Sequence, residues 1–225
     1  METIAVLPVK GFGNAKQRLG AALGEQERCE LAEAMVGDVL EALCGVGGLA
    51  AIVVVTAEPL AASAARAAGA AVVDDPWETG QSDAAALGVS AAVERGAGRV
   101  LLVPGDCPSL SPSQVEDLLA ARNGADPCVI IVPDRHGSGT NALLISPPAA
   151  LAPSFGPGSF ARHAAHARAA GAAVEVAELP SLGLDVDTPG DLVALRAALT
   201  ARPDVAARTR AVLNRLLPAS QAARA

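Results

Sequence analysis

The sequence predicts one α/β domain in which helices flank a mostly parallel β-sheet. Short runs rich in Val, Ile and Leu alternate with segments whose apolar residues recur every three or four positions. The run Ala51–Thr56 is apolar almost throughout, which is typical of a parallel strand covered on both faces. With 225 residues, of which 51% are hydrophobic, the chain fits one large domain better than two small ones.

The first half of the chain predicts four strands with helices between them. The first long helix places Leu31, Met35 and Val39 on one side, and the next two helices end at Gly69 and Gly96. In chain order the predicted elements are strand Thr3–Leu7, helix Glu25–Leu43, strand Ala51–Thr56, helix Pro59–Ala68, strand Ala71–Asp74, helix Ser82–Arg95 and strand Val100–Val103.

The second half predicts three more strands, of which one is expected to be antiparallel, and four helices. Two helix starts are well marked: Ser111 precedes Pro112 with Gln114 completing a capping box, and Thr188 precedes Pro189 with Asp191 three positions on. The elements are helix Pro112–Arg122, strands Val129–Val132 and Ala142–Ile145, helix Gly158–Ala170, strand Ala173–Ala177, and helices Pro189–Leu199 and Asp204–Leu217. We expect one domain over residues 1–217 and a flexible tail over 218–225.

Composition excludes several classes of function. The formal net charge is −7 and no basic face is evident, so we expect no nucleic-acid partner. The four cysteines form neither a CxxC pair nor a Cys/His zinc spacing. Lys10 interrupts the N-terminal apolar stretch too early for a signal peptide, and no apolar run reaches the roughly 18 residues of a membrane span. We therefore expect a cytoplasmic protein without a membrane partner.

A basic, glycine-containing loop follows the first predicted strand. It carries Lys10, Lys16 and Arg18 together with Gly11 and Gly13. It is not a Walker A loop, because no Gly-Lys-Ser/Thr closes it, and Lys16 stands where a full GxGxxG pattern has its third glycine. Two glycines that let backbone N–H groups approach an anion, with three cations, suit a triphosphate. A solvated surface loop is the alternative.

Acidic residues stand where two predicted helices are about to begin. Asp106 follows the strand Val100–Val103, and Asp185 and Asp187 precede the helix that starts at Pro189. In an extended chain Asp185 and Asp187 point to the same side, where they repel each other unless a cation lies between them. Magnesium favours carboxylate and phosphate oxygens together. Turn formation by Asp106 and helix capping by Asp187 are the alternatives, although Thr188 fits the cap better.

The carboxyl ends of parallel strands meet at one edge of a sheet, which is where such folds bind ligands. The basic loop and the Asp106 loop fall at that edge, and the Asp185 loop is expected there too. Carboxylates that can bind a metal ion and basic side chains that can bind phosphate, at the same edge of the sheet, together predict a nucleotidyltransferase.

Two glycine-rich turns are candidates for a second substrate. One enters a strand at Thr140, and the other enters a helix through Gly156, Gly158 and Ser159. A helix N-terminus with free N–H groups and hydroxyls nearby is an anion site, so the two turns together could hold a small phosphorylated acid. Two plain turns are the alternative. His163 and His166, three residues apart, are expected on one exposed helix face.

The motifs in this order resemble one family over nearly the whole chain. They are LPVKxxxxAKxRL, GDxP after a strand, a GTN turn, FGxGSFxxH and LDVDTPxDL. They resemble the 2-phospho-L-lactate or phosphoenolpyruvate guanylyltransferase family of coenzyme F(420) biosynthesis. That resemblance implies a Rossmann-like nucleotide-diphospho-sugar transferase fold, with GTP as donor and Mg²⁺ as cofactor.

The resemblance also implies roles for individual residues. Asp106, Asp185 and Asp187 would be the metal ligands; Thr140, Gly156 and Ser159 would bind phosphoenolpyruvate or 2-phospho-L-lactate; and Lys10, Lys16 and Arg18 would clamp the triphosphate. One segment departs from the family: a Gly-Leu-Asn sequence that helps place the nucleotide in similar enzymes is replaced here by Gly80-Gln81-Ser82-Asp83.

Other functions stay open from the sequence alone. They are a molybdopterin guanylyl- or cytidylyltransferase, a sugar-phosphate nucleotidyltransferase, and a catalytically silent nucleotide-binding protein. The Gly156–Ser159 segment favours a small acidic acceptor over a pterin or sugar. The Ala/Arg/Gly-rich composition suggests a GC-rich bacterial genome, which favours phosphoenolpyruvate by analogy. The helix Asp204–Leu217 could pack on its own domain or form a homodimer.

Overall fold

A computed structural model describes residues 1–121 and 126–217 and shows a seven-stranded sheet in the order β3-β2-β1-β4-β6-β5-β7. All neighbouring strands are parallel except that β6 runs antiparallel to both β4 and β5, which confirms the predicted antiparallel strand. The strands are β1 (Thr3–Pro8), β2 (Leu49–Val55), β3 (Ala71–Val73), β4 (Arg99–Leu102), β5 (Cys128–Pro133), β6 (Thr140–Ser146) and β7 (Ala173–Val176).

Helices cover both faces of the sheet because side chains alternate along each strand. In β1, Ala5 and Leu7 face the core that includes α1 and α4, whereas Ile4 and Val6 face the core that includes α3 and α5. The helices are α1 (Glu25–Cys44), α2 (Pro59–Ala67), α3 (Gln81–Glu94), α4 (Pro112–Ala120), α5 (Ser159–Ala169), α6 (Pro189–Ala201) and α7 (Ala207–Leu216).

A third core lies beside the sheet and supports the carboxyl-end loops. Leu19 of the basic loop and Val186 of the acidic segment are fully buried in it, together with side chains of α1, α6 and α7. The basic loop and the segment that carries Asp185 and Asp187 are therefore both anchored to this core by buried apolar side chains.

The predicted strands and helices occur with small shifts at their ends. The last helix begins at Ala207, three residues later than predicted, and the backbone N–H groups of Arg208 and Thr209 donate to the buried carboxylate of Asp38 at 3.1 and 2.7 Å. The predicted helix end at Arg122 and the predicted tail 218–225 lie outside the described residues. Within the described ranges, no helix is long and apolar enough to cross a membrane.

The predicted capping box of α4 is wrong, whereas that of α6 is confirmed. Ser111 precedes α4, but its hydroxyl lies 3.0 Å from that of Ser113 and makes no cap bond, and Gln114 instead accepts from the backbone N–H of Ser181 at 3.1 Å. At α6, the Thr188 side chain accepts from the Asp191 N–H and the Asp191 carboxylate accepts from the Thr188 N–H.

Candidate active site

A cleft of about 280 Å³ opens at the carboxyl ends of the parallel strands. The basic loop after β1 contributes Lys10 and Lys16 to its wall, and the loop after β4 contributes Asp106. Asp187, which precedes α6, also lines it. The sheet therefore brings together four of the residues that the sequence selects, although they lie far apart in the chain.

Lys16 is the central cation of this cleft. Its Nζ donates to Oδ2 of Asp106 at 2.5 Å and to Oδ1 of Asp187 at 2.9 Å. Burial lowers the pKa of the Lys16 ammonium, but the charges of the two aspartates outweigh it and the net shift is upward. The ammonium is therefore charged at neutral pH.

The backbone at Lys16 adopts a left-handed conformation that glycine adopts readily but that strains a lysine. Its φ of 56° and ψ of 35° lie in the left-handed region, which costs a residue with a side chain about 1–2 kcal/mol. In the sequence, Lys16 stands where a GxGxxG pattern has its third glycine, and glycine would adopt this conformation without strain. A strained lysine whose ammonium bridges two carboxylates is typical of a functional position.

The three aspartates lie on two loops that are hydrogen bonded to each other. The N–H of Val186, between Asp185 and Asp187, donates to the backbone carbonyl of Asp106 at 3.3 Å. Burial raises the pKa of Asp185, and the nearby Asp106 carboxylate raises it further. This excess of negative charge fits a divalent cation, for which carboxylate oxygens are suitable ligands.

The side chains that the structure describes do not by themselves form a complete metal-binding site. Within residues 1–121 and 126–217, no three His, Cys, Asp or Glu side chains are arranged to hold a metal ion. The Lys16 ammonium bridges Asp106 and Asp187 instead. The assignment of Asp106, Asp185 and Asp187 as metal ligands stays a prediction.

The other two predicted cations are exposed at the edge of the site. Lys10 lines the main cleft. Arg18 lines an adjoining cavity of about 260 Å³ together with Lys16 and Asp187, which border both spaces. The position of both cations favours the triphosphate interpretation of the loop over that of a plain surface loop.

Backbone N–H groups of the basic loop bind anionic oxygens, as its glycines suggest. The N–H of Gly11 donates to the Glu78 carboxylate at 2.5 Å, and the N–H of Phe12 donates to the Glu58 carboxylate at 3.0 Å. Both acids come from other loops, and sequence reasoning missed them. The loop therefore presents donors to anions, which in this structure are carboxylates of the protein.

The two glycine-rich turns pack against each other beside the aspartates. The N–H of Phe160 donates to the carbonyl of Ser138 at 3.2 Å, and the N–H of Ser159 donates to the carbonyl of Gly156 at 3.0 Å. The expectation of free N–H groups at this helix start is thus wrong for these two positions. Gly156 and Gly158 have φ values of 106° and 69°, so glycine suits the turn.

Asn141, which follows Thr140 in β6, links the two glycine-rich turns to the segment that carries Asp185. The amide of Asn141 donates to the carbonyl of Leu182 at 2.6 Å, and its polar group near Asp185 lowers the pKa of that carboxyl. Thr140, Gly156, Gly158 and Ser159 are not among the residues that line the main cleft. The structure thus places the predicted acceptor residues together, next to Asp185 and outside the main cleft.

His163 is buried, so the expectation that it lies on an exposed face is wrong. The N–H of Ser154 donates to its Nε2 at 2.8 Å, so Nδ1 carries the proton and donates to Oγ1 of Thr140 at 3.0 Å. Burial and the nearby Arg162 lower the pKa of His163 to about 4, so the ring is neutral at pH 7. Because Thr140 accepts from His163, its own hydroxyl proton is available to a ligand.

We expect His163→Gln to weaken both the predicted acceptor site and the fold. Loss of the bonds to Thr140 and Ser154 should lower the free energy of unfolding by about 1–3 kcal/mol. Because the folded pKa is depressed from 6.5 to about 4, wild-type stability is full above 6.5 and falls as the pH drops toward 4. Urea unfolding from pH 7 to pH 4 should show a shallower decline for the variant.

The exposed His166 provides the matched control. His166→Gln should leave both the stability and its pH dependence unchanged. Equal declines for wild type and His163→Gln would contradict the assigned neutral, buried state of His163.

Asp191 holds the backbone of Asp187 in place. Its Oδ2 accepts from the N–H groups of Asp187 at 2.9 Å and Thr188 at 2.7 Å, and its Oδ1 pairs with Arg135. Burial raises the pKa of Asp191, but these donors and the Arg135 charge outweigh it, and the pKa lies below its usual range. Asp191 is thus a positioning residue for Asp187.

We expect Asp191→Ala to lower the free energy of unfolding by about 1–2 kcal/mol, as loss of a helix cap does. Because the folded pKa is depressed, this stabilisation is present above the ordinary range of Asp and is lost as the pH falls through the folded pKa. In steady-state assays of the predicted nucleotidyl transfer, kcat should fall while KM for the expected donor GTP changes little, since Asp187 is displaced rather than removed. Exposed Asp204→Ala is the control, and an unchanged kcat in Asp191→Ala would contradict the positioning role.

The fold and the site define the class of nucleotidyltransferases: an α/β sheet with a charged cleft at its carboxyl end. The chain matches the family described as guanylyl transferase CofC like over residues 3–197, and it belongs to that family. The predicted family resemblance is confirmed.

Several curated relatives cover nearly the whole chain. A phosphoenolpyruvate guanylyltransferase of Conexibacter woesei is 51% identical over 96% of this chain and 97% of its own. A phosphoenolpyruvate guanylyltransferase of Rubrobacter xylanophilus is 42% identical over 88% and 95%. A 3-phospho-D-glycerate guanylyltransferase of Phenylobacterium zucineum is 37% identical over 94% and 95%.

Solved structures confirm the predicted fold. A candidate nucleotide-diphospho-sugar transferase from Desulfovibrio desulfuricans matches with a TM-score of 0.76 at 17% identity, over 96% of this chain and 95% of that one. A manganese complex of a Mycobacterium tuberculosis protein matches with a TM-score of 0.54 at 20% identity, over 87% and 98%.

Proposed function

We propose that this protein transfers GMP from GTP to the phosphate of phosphoenolpyruvate and releases pyrophosphate, with 2-phospho-L-lactate as the alternative acceptor. The observation that carries the proposal is Lys16, held between Asp106 and Asp187 at the end of a cleft beside the Thr140 turns. The names of the relatives support guanylyl transfer to a small phosphorylated acid. The reaction would belong to coenzyme F(420) biosynthesis in the cytoplasm.

The reaction needs no catalytic base. A phosphate monoester has a second pKa of about 6, so the acceptor is largely dianionic at neutral pH and its oxygen can attack the α-phosphorus directly. His163 is neutral and its ring nitrogens are engaged, which agrees with a positioning role. The obstacle is the repulsion between two anions, which cations must offset.

The basic loop supplies the protein's own positive charge. Lys16, fixed by its two aspartates, would neutralise charge that develops near the α-phosphate, and Lys10 and Arg18 would bind the outer phosphates. Asp106, Asp185 and Asp187 would hold Mg²⁺, which supplies charge neutralisation and orientation for phosphate oxygens. A triphosphate that enters the loop would compete with Glu78 for the N–H of Gly11.

The Thr140 turns would hold the acceptor. The Thr140 hydroxyl is oriented by His163 with its proton available, and Gly156, Gly158 and Ser159 shape the opposite turn. Arg162 stiffens this turn by donating to the carbonyls of Ser154, Phe155 and Pro157. The short, glycine-containing Gly156–Ser159 segment favours a small acidic acceptor over a pterin or a sugar.

An acceptor panel tests the proposal. Purified protein is incubated with GTP, Mg²⁺ and one of phosphoenolpyruvate, 2-phospho-L-lactate or 3-phospho-D-glycerate, and products are identified by mass spectrometry. We expect guanylylated phosphoenolpyruvate with the highest kcat/KM. The 3-phospho-D-glycerate arm is included because a relative carries that name. GTP binding without any guanylylated product would favour a silent nucleotide-binding protein.

A further inference from the structure

The segment between β3 and α3 carries a mostly buried acid, Asp75, whose carboxylate accepts no hydrogen bond from the described part of the protein. Asp75 is only 7% exposed and lines the cleft. Among the residues that the structure describes, no side chain or backbone N–H donates to its carboxylate. Glu78, the other acid of this segment that lines the cleft, differs because it accepts from the N–H of Gly11.

The carboxylate oxygens of Asp75 are not fully enclosed, since neither is among the described polar side-chain atoms that are buried without a partner. They are open to the cleft that Asp75 lines, and a ligand that takes the place of water there must supply hydrogen-bond donors to them. Lys16, the buried cation of the cleft, is engaged with Asp106 and Asp187. The donors that Asp75 lacks are therefore expected from a ligand in the cleft.

The position of Asp75 indicates which part of a nucleotide reaches it. β3 lies three strands from β4 in the sheet, so the carboxyl ends of these strands are about 14 Å apart. Lys16 and Asp106 lie at the β1 and β4 end, where the phosphates would bind. An unpaired carboxylate at the other end repels phosphates and suits a neutral group with N–H donors.

We propose that Asp75 is the residue that selects guanine, an inference that rests on the proposed guanylyl transfer. Guanine presents two adjacent donors, N1–H and the 2-amino group, which match the two oxygens of a carboxylate. Adenine and cytosine place a ring nitrogen acceptor beside their amino group, so a carboxylate would be repelled there. Uracil offers a single N–H between two carbonyls.

Substitution by asparagine gives a positive test. Xanthine keeps N1–H but has a carbonyl where guanine has its 2-amino group. The amide of Asp75→Asn would accept from N1–H and donate to that carbonyl, so selectivity should move from GTP toward XTP. A merely structural role for Asp75 would not produce this gain.

The experiment is calorimetric titration of the full chain with Mg²⁺ and GTP, ITP, XTP or ATP, without acceptor. In Asp75→Asn we expect the Kd for GTP to rise about 10- to 100-fold, which is the change expected when a contact of two hydrogen bonds to a base is lost. The Kd for ATP should change less than about twofold, and XTP should bind more tightly than GTP. Asp74→Asn, the exposed neighbouring acid, should leave all four affinities unchanged.

Two further readouts make the test decisive. Because the Asp75 side chain has no donor to lose among the described residues, the melting temperature of Asp75→Asn should stay close to that of wild type. Wild type itself should bind ITP, which lacks the 2-amino group, about tenfold more weakly than GTP. Equal wild-type affinity for GTP and ITP, or a variant that loses GTP and ATP alike without gaining XTP, would overturn the role of Asp75.

Failure of the proposed reaction would look different. If wild type prefers GTP and Asp75→Asn prefers XTP, but no acceptor is guanylylated, then Asp75 selects guanine and the transfer proposal is wrong. If guanylyl transfer occurs and Asp75→Asn keeps its preference for GTP, the transfer proposal holds and another group reads the base. A wild-type protein that does not bind GTP would overturn both.

Discussion

Replacement of Lys16 by methionine should lower kcat for guanylyl transfer by about 100- to 1,000-fold, the range for loss of one fixed group that stabilises transition-state charge. Lys16 joins Asp106 and Asp187 and borders both cavities of the site. Without its ammonium, the site loses the cation that is fixed between the two aspartates and that would offset charge at the α-phosphate. The measurement is steady-state pyrophosphate release at saturating GTP.

An arginine should not replace this lysine. Lys10 and Lys16 are the only lysines in a chain that uses arginine everywhere else, and both stand in the same loop. A compact ammonium fits between two carboxylates, whereas a planar guanidinium needs more space. Lys16→Arg should therefore lose at least about tenfold in kcat, and exposed Arg66→Met should lose nothing. Full activity in Lys16→Arg or Lys16→Met would remove Lys16 from the catalytic role.

Replacement of Asp187 by asparagine should lower turnover by about two to three orders of magnitude and leave the fold intact. The side chain is 44% exposed, and the backbone N–H that joins Asp187 to Asp191 is kept. Loss of one carboxylate weakens the proposed Mg²⁺ site and one of the two bonds to Lys16. The variant should therefore need more Mg²⁺ for half-maximal rate.

Asp117→Asn removes an exposed acid of α4 and serves as the control. The comparison is a titration of initial rate against Mg²⁺ at fixed GTP, with thermal unfolding measured in parallel. Near-normal turnover in a folded Asp187→Asn protein would exclude Asp187 from the site.

Most elements of the fold could be predicted because their signals are local. The apolar run Ala51–Thr56 and the Thr188–Pro189 helix start each depend on neighbouring residues, and β2 and α6 lie there. Strand order could not be predicted this way, since β6 lies between its chain neighbour β5 and β4, and its pairing with β4 joins residues distant in sequence. The capping box at Gln114 failed for the same reason, because Ser181 takes its side-chain oxygen.

The charged half of the site could be predicted because strand ends of a parallel sheet share one edge. Lys16, Asp106 and Asp187 were selected on that basis and lie in contact. The prediction that His163 is exposed was wrong because the spacing of His163 and His166 shows only that they lie near each other on a helix. It does not show which side of the helix packs against the core. The position of His163 in FGxGSFxxH was the available signal.

No sequence motif indicated the role that we propose for Asp75. Asp75 stands in an acidic turn that reads as solvated surface, and its burial follows from the packing around the cleft. Glu78 was missed likewise, because its contact with Gly11 joins loops 67 residues apart.

The most direct test of the account uses GTP labelled with radioactive phosphorus at either the α or the γ position. Wild-type protein is incubated with Mg²⁺ and phosphoenolpyruvate, and products are separated by chromatography. The account requires the α label in the guanylylated acceptor and the γ label in pyrophosphate. Transfer of the γ label to the acceptor, or its release as inorganic phosphate, would contradict attack at the α-phosphorus and with it the central claim.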